Sequence, residues 1–219
     1  MMTPSASEAT TVAAGPFTVW LAEFRASLKS DVGTDVPCGD CDGCCVSSYS
    51  ILVRPTDTQA LAAIPPDLLV DVPTLKAGIK AMGYLPNGKC PMLSGSKCSI
   101  YDRRPQTCRD YDCRIFAAAG IIAGGADKAV INRRVHAWRF AYPAEADKRA
   151  HDAVRAAANF IRMHKASFPG GRAPTVPSGI AVLAIKSYTV FLDATIQSRS
   201  DEDIAAAIVK LNIEFDTTE

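Results

Sequence analysis

The spacing of the cysteines is the feature of this sequence that most directly predicts chemistry. The full set is Cys38, Cys41, Cys44, Cys45, Cys90, Cys98, Cys108 and Cys113, all within about one third of the chain. Thiolates are strong ligands for zinc and for iron–sulfur clusters. The two-residue spacers of the first run let the backbone curl around one centre, and Gly39 and Gly43 tolerate the positive φ that this needs. The pattern therefore predicts that the eight cysteines hold metal.

The sequence specifies the identity of the metal less strongly than it specifies metal binding. Three cysteines separated by two residues resemble the bacterial ferredoxin run, whose fourth cysteine precedes a proline, as Cys90 precedes Pro91 here. Structural zinc sites more often use two separated C-x-x-C pairs, and only one such tract is present. The sequence favours an iron–sulfur cluster or iron as the cofactor, with zinc as the close alternative.

Two spacings restrict how the cysteines share a centre. The side chains of adjacent residues tend to diverge, so we expect Cys44 and Cys45 to serve different centres or different irons of one cluster. Cys108 and Cys113 would lie about 140° apart on an unbroken helix, so they would not face one metal unless the helix is distorted or begins between them. A position near a helix N-terminus would give Cys108 thiolate character.

Arg104 and Arg109 lie among the cysteines and are candidates to offset thiolate charge or to donate hydrogen bonds to sulfur. The alternative is that they are surface residues paired with nearby aspartates. Tyr101 either shields the centre from water or packs in an ordinary core.

Basic side chains outside the cysteine region indicate function less strongly than the cysteines do. The three histidines, His136, His151 and His164, lack a ligand-like spacing from any cysteine, so we do not expect them to bind metal. Arg133, Arg134 and Arg139 are expected to form a basic helical face, either solvated or in contact with an acidic partner or RNA.

The pattern of apolar residues predicts a mainly α fold with a loop-rich, metal-stapled cysteine region and a small α+β element in the N-terminal half. Predicted elements are helices over 16–30 and 56–64, a strand over 49–53, a loop or hairpin over 90–98, a helix from Pro105 toward Ala119, and helices from 126 onward, the last opened by Ser200 and Asp203. We expect a disordered tail over 1–15, a cysteine-cluster metal-binding region over 16–120 and a helical region over 121–219. The last two could pack as one domain.

Composition limits the partners. The 219 residues include 48% hydrophobic and 21% charged residues with a net charge of +1, which is ordinary for a globular protein and gives no general attraction to nucleic acid or membrane. The first fifteen residues lack the features of a secretory signal, which predicts a cytoplasmic location where disulfides are rare. The expected partner is a metal ion, and a protein partner stays open.

Two motifs carry a resemblance to a known family. The run from Cys38 to Cys45 resembles the CxxCxxCC cysteine-cluster family over residues 36–116. The second motif is the more specific, and its matching residues are Ile100, Tyr101, Arg104, Pro105, Cys108, Arg109 and Cys113. The resemblance implies zinc or iron binding, and some members are labelled iron–sulfur-containing. It leaves open whether the chain is an enzyme, so a redox enzyme or electron carrier and a metal-stabilised interaction module remain alternatives.

Overall fold

Helices make up most of the fold, and the strands are short. The computed structural model describes residues 11–34 and 36–217, except for the side chain of Gln197. The helices are α1 (Phe17–Ser27), α2 (Thr58–Ala63), α3 (Gln106–Asp110), α4 (Arg114–Ala119), α5 (Ala129–Ala137), α6 (Glu145–Met163), α7 (Pro177–Ser187) and α8 (Asp201–Thr217). The strands are β1 (Val12–Pro16), β2 (Ile51–Val53), β3 (Leu69–Asp71), β4 (Lys80–Met82), β5 (Leu93–Ser94), β6 (Lys97–Cys98) and β7 (Trp138–Ala141). The predicted mainly α class with small β elements is confirmed.

The larger hydrophobic core is formed by α1, α4, α6, α7 and α8. Small side chains let α6 approach its neighbours closely, because Ala157 and Ala158 are fully buried beside Ala181 and Ala184 of α7. The buried carboxylate of Asp147 ties the first turn of α6 to α1, since its Oδ1 accepts hydrogen bonds from the backbone N–H and the hydroxyl of Thr18 at 2.9 and 2.6 Å. These helices form the support on which part of the cysteine region rests.

The sequence did not reveal a parallel pair formed by β1 and β7. The predicted helical region from 126 onward is interrupted here, because α5 ends at Ala137 and Trp138 begins β7 in an extended conformation. Residues 1–10 of the predicted tail lie outside the described residues, and its last residues belong to β1. Backbone pairing with β7 holds this end of the segment in place.

A smaller hydrophobic core lies under the cysteine segments. Its antiparallel sheet has the order β2-β4-β3, and β5 and β6 form a separate hairpin. The buried residues of the smaller core are Ile51, Val53, Ala60, Ile64, Met82, Cys90, Met92 and Ile100. The predicted strand over 49–53, the helix over 56–64 and the hairpin over 90–98 correspond to β2, α2 and the β5–β6 pair.

Contacts cross the boundary that we predicted near residue 120, because α4 precedes it and packs against α6 and α7. These contacts join the two predicted regions, and the division into 16–120 and 121–219 stays a prediction. No helix in the described part of the chain combines the length and apolar character that a membrane span requires.

Candidate metal centre

All eight cysteines line one cavity of about 410 Å³. Three chain segments bring them there: the first run, the stretch around the β5–β6 hairpin, and the stretch from α3 to the start of α4. Cys90 and Cys113 are buried, Cys44 is exposed, and the other five are intermediate. The structure thus gathers every cysteine that the spacing singled out, including Cys45 and Cys90, which lie 45 positions apart in the sequence.

A tight turn positions the first run. Residues Gly43–Val46 form a 3₁₀ helix that packs on α5. A Cβ placed on Gly43 would lie 3.3 Å from Cγ1 of Ile131 and 3.4 Å from Sγ of Cys41, so the close approach depends on glycine. Ser47 Oγ donates to the carbonyl of Gly43 at 2.6 Å, which secures the turn from its other end.

Backbone and side-chain hydrogen bonds join the first run to the second segment. The N–H of Cys90 donates to the carbonyl of Cys45 at 2.7 Å. The hydroxyl of Tyr84 donates to the carbonyl of Cys44 at 3.0 Å. Since Cys45, Cys98 and Cys108 all pack against the smaller core that contains Cys90, these four thiols share one side of the cavity.

The third segment contains a helix break between Cys108 and Cys113. Cys108 lies within α3, the backbone leaves the helix at Tyr111, and Cys113 immediately precedes α4. The buried carboxylate of Asp112 fixes this break, because it accepts a hydrogen bond from Trp20 Nε1 at 3.0 Å and pairs with Arg114 at 2.8 Å. The helix is therefore interrupted between the two cysteines, which is the condition that their spacing set for facing one site.

The pKa values of the thiols show which cysteines affect one another. Burial raises the pKa of Cys38 to about 11, with Cys44 and Cys41 contributing. Burial likewise raises the pKa of Cys113 to about 12, and Cys38 and Cys41 add to the rise. These thiols therefore lie close enough together to interact on the side of the cavity that faces the larger core.

A second group of interacting thiols lies on the side of the smaller core. Burial raises the pKa of Cys108 to about 12, and Cys44, Cys90 and Cys98 contribute. Burial also raises the pKa of Cys90, and Cys98 and Cys44 contribute. The thiolate character expected for Cys108 is therefore wrong: burial outweighs the effect of a helix that is only five residues long.

The adjacent pair lies where the two groups meet. The sulfurs of Cys44 and Cys45 are 3.9 Å apart, so the side chains do not diverge as we expected. The tight 3₁₀ turn brings both sulfurs to the same cavity. The hydrogen bond between the two thiols, and then burial, raise the pKa of Cys44.

Residues 37–130 match a family model described as "Putative zinc- or iron-chelating domain". This segment matches the CxxCxxCC family. The match covers less than half of the chain and includes all eight cysteines, and it confirms the family resemblance. No curated protein and no solved structure matches the chain.

Two side chains that hold the CxxCxxCC domain in place lie beyond the matched residues. Trp138 Nε1 donates a hydrogen bond to the sulfur of Cys113 at 3.2 Å. The guanidinium of Arg134 lies 4.6 Å from the centre of the Trp138 ring and donates to the carbonyl of Cys38 at 2.7 Å. Sequence reasoning missed both roles, because nothing in the spacing shows that the end of α5 folds back onto the first cysteine run.

Arg104 and Arg109, the two candidate arginines among the cysteines, lie at different positions relative to the cavity. Arg104 lines the cavity, stacks on the Tyr101 ring at 4.0 Å, and helps to offset the rise in the pKa of Cys108. Arg109 is absent from the described residues that line the cavity, and its backbone carbonyl accepts hydrogen bonds from Thr34. Tyr101 is half exposed at the cavity rim, so it is not a core tyrosine.

No histidine is found among the described residues that line the CxxCxxCC cavity. His151 is buried against Phe17, and His164 pairs with Asp201 at 2.7 Å. The expected basic face is divided, because Arg134 contacts the first cysteine run while Arg139 lies in β7.

The donor set of the domain fits the metals that its family description implies. Eight soft sulfur ligands face one cavity, as zinc and iron–sulfur centres require. Among residues 11–34 and 36–217, no group of three cysteine, histidine or carboxylate side chains is gathered tightly enough to hold a single ion as it stands. Because burial keeps several thiols neutral near pH 7, metal binding has to displace their protons.

Proposed function

We propose that this protein binds metal through its eight cysteines and that the centre is an iron–sulfur cluster, with zinc as the alternative. The observation that carries the proposal is the lining of one cavity by all eight thiols. Thiols stay reduced in the cytoplasm, which is where we place the protein.

We assign the ligands to two adjacent centres. The first set is Cys38, Cys41, Cys44 and Cys113, supported by the mutual effects of Cys38, Cys41 and Cys113 and by the place of Cys113 in the larger core. The second set is Cys45, Cys90, Cys98 and Cys108, which all belong to or pack against the smaller core. Cys44 affects thiols of both sets, and the spacing of the first run assigns it to the first. In this arrangement the C-x-x-C-x-x-C run and one remote cysteine hold the first centre, as in bacterial ferredoxins. The adjacent Cys44 and Cys45 would then link the two centres.

The spread of the sulfurs favours a cluster over single ions. Tetrahedral zinc holds thiolates at a Zn–S distance of about 2.3 Å, so its four sulfurs must converge on one point. The cysteines here surround a cavity of about 410 Å³, which leaves room for several atoms between them. A cluster would supply reversible one-electron chemistry, while Trp138 would orient Cys113 and Arg134 would hold the backbone of Cys38.

Electron transfer is a second candidate function. Cys44 is the exposed member of the set, and its sulfur lies 3.9 Å from that of Cys45, which we assign to the other centre. A centre that reaches the surface at one ligand can exchange electrons with a partner that docks there. A redox titration in which the loaded protein shows no reversible step would remove this candidate without affecting metal binding.

The central test is purification without oxygen, followed by measurement of iron, zinc, acid-labile sulfide and the visible spectrum. We expect iron and sulfide in similar amounts and a brown protein. Zinc at about two ions per chain with no sulfide would replace the cluster by two four-cysteine zinc sites. A colourless protein with neither metal would overturn the proposal.

Paired variants test the division into two centres. We expect Cys113→Ala and Cys98→Ala each to lose about half of the bound metal, because each removes a ligand from a different centre. Ser27→Ala, on α1 and outside the cavity, serves as the control and should retain all of it. Complete loss of metal in both cysteine variants, with melting curves that remain cooperative, would instead indicate a single shared centre.

A further inference from the structure

A second cavity, of about 540 Å³, opens on the helical part of the chain and contains no cysteine. Its basic side chains come from three elements: His136 near the end of α5, Arg139 of β7, and Arg155 and Arg162 of α6. The two α6 arginines are seven residues apart, so they lie on one face about 10 Å apart along the helix axis. We call this cavity the basic cleft.

The arginines of the basic cleft have no acidic partner in the described part of the chain. No ion pair joins Arg139, Arg155 or Arg162 to a carboxylate among residues 11–34 and 36–217. Nη1 of Arg139 donates to the carbonyls of His136 and Trp138 at 2.7 and 2.9 Å, which fixes its position without neutralising its charge. The cleft therefore presents three positive charges to whatever enters it.

Local backbone geometry holds Arg155 at the cleft. Gly120 ends α4 in the left-handed conformation with φ +67°, and a Cβ there would lie 3.5 Å from Nε of Arg155. The side chain of Arg155 thus lies against the C-terminal end of α4. A cation is favoured at this end of a helix, which positions the guanidinium at the rim of the cleft.

The remaining surface of the cleft is mostly apolar. Phe116, Trp138 and Ile180 are buried residues at its floor, and Ile122 is half exposed at its edge. Guanidinium groups beside an apolar floor suit a ligand with one anionic end and one apolar end. Arginine binds phosphate oxygens through two parallel hydrogen bonds, and a phosphate ester carries a charge of about −1.5 to −2 at pH 7.

We propose that the basic cleft binds a small organic phosphate whose apolar or aromatic group lies against Ile122 and the accessible edge of Trp138. Three guanidinium groups match a dianionic phosphate better than a single carboxylate. The net charge of the chain is only +1, so no general positive field favours nucleic acid over a small phosphate. This proposal is independent of the metal centre.

Trp138 provides a direct readout, since it lines the basic cleft and the chain has only two tryptophans. Phenyl phosphate serves as the probe, with inorganic phosphate, benzoate and phenol as comparisons, titrated by calorimetry and by tryptophan fluorescence at physiological salt. We expect saturable binding of phenyl phosphate at least tenfold tighter than that of inorganic phosphate or benzoate, a change in fluorescence, and no saturable binding of phenol.

Variants locate the binding. The double variant Arg155→Gln/Arg162→Gln should weaken phenyl phosphate binding at least tenfold. Arg149→Gln removes the same charge from an exposed position of α6 outside the cleft and should change binding less than twofold. Ile122→Glu adds a negative charge at a half-exposed position and should also abolish binding, which gives a second test if the double variant melts early.

Four results would overturn the proposal: no saturable binding of phenyl phosphate, equal weakening by Arg149→Gln, equal affinity for benzoate, or tighter binding of a short single-stranded RNA than of phenyl phosphate. The last two would respectively reassign the cleft to carboxylates or to nucleic acid.

Discussion

Trp138 illustrates how much a single side chain contributes to the cysteine cavity. Its indole N–H donates to the sulfur of Cys113, and the guanidinium of Arg134 stacks on its ring. Its other surface lines the basic cleft. Hydrogen bonds to ligands typically change metal affinity by about 10–100-fold, because they orient the ligand and stabilise its charge.

Replacing Trp138 with Phe should therefore lower metal affinity by about tenfold. Trp20→Phe is the matched control, because Trp20 is equally buried but donates to Asp112 and not to a sulfur. Competition of the loaded variants against a chelator measures both affinities. Equal losses in the two variants would mean that the bond to Cys113 has no special role.

His151 should make stability depend on pH. Burial, with a contribution from Arg155, lowers the pKa of His151 to about 4, and its ring stacks on Phe17 and hydrogen bonds to Tyr142 at 2.6 Å. Between pH 6.5 and 4 the unfolded chain binds a proton at this residue that the folded chain does not. The free energy of unfolding should therefore fall as the pH falls, by about 1–2 kcal/mol between pH 7 and pH 5.

Urea unfolding of the wild type and of His151→Phe at both pH values isolates this contribution, because effects of acid on the metal ligands are common to both proteins. We expect the variant to lose about 1–2 kcal/mol less than the wild type. His136→Gln, at an exposed position, should behave like the wild type. An identical loss in His151→Phe and wild type would show that His151 does not titrate in this range.

Sequence alone predicted which cysteines come together at one cavity, but it missed the side chains that contact them. Thiols at two-residue spacing have few uses other than metal binding, so all eight cysteines could be identified. Arg134 and Trp138 are ordinary surface and core types whose role arises only when α5 and β7 pack beside the first run. The thiol of Cys108 was misjudged because its burial could not be read from the chain.

The spacing of apolar residues predicted where the long helices lie, but it predicted less reliably which of their residues are buried. Near α1 the apolar residues Val19 and Leu28 are 52% and 36% exposed, while Phe17 and Trp20 are buried with Leu21 and Phe24. The capping bond opening α8 formed as predicted, with the N–H of Asp203 donating to Ser200 Oγ at 3.1 Å. A capping hydrogen bond depends on residues that are close in sequence, whereas the buried face of a helix depends on which distant elements pack against it.

The attachment of α1 to α7 depends on one arginine. Nη1 of Arg25 donates to the carbonyls of Ile185 and Lys186 at 2.7 and 3.0 Å, and its guanidinium lies 4.7 Å from the centre of the Phe215 ring of α8. These carbonyls belong to the last turn of α7, whose carbonyl groups lack partners within the helix itself. Arg25 therefore caps one helix while it connects two others.

Arg25→Ala should lower the free energy of unfolding by about 1–3 kcal/mol, because it leaves two carbonyls without their donor. Arg25→Lys keeps the charge but not the planar group, so it should recover only part of the loss. Arg133→Ala, at an exposed position of α5, should change stability by less than about 0.5 kcal/mol. Chemical denaturation of the three variants measures the differences, and a neutral result for Arg25→Ala would contradict this assignment.

The whole molecule has two unequal hydrophobic cores with the cysteine cavity between them. The larger core contains most of the buried residues, whereas the smaller core has eight. A core of that size, built from three-residue strands and one short helix, has little stability of its own. Ligands drawn from both sides of the cavity would connect the smaller core to the larger one.

Removing the metal should therefore loosen one part of the molecule before the other. We expect a chelator under reducing conditions to increase proteolysis within residues 65–98, while α6 and α7 remain protected. Limited digestion followed by mass spectrometry locates the cleavage sites. Unchanged cleavage after the metal has been removed, or cleavage first in α6, would show that the smaller core does not depend on the metal.

The pairing of β1 with β7 limits how far the cysteine segment can be transplanted. Trp138 is the first residue of β7, opposite Val12 of β1. A fragment cut to residues 37–130 would keep every sulfur but lose Trp138, Arg134 and both strands. All eight cysteines lie within one segment of the sequence, but the residues that position them come from both of its flanks. Residues 37–130 alone should therefore not reproduce the site, and transfer into another protein would require the flanking residues as well.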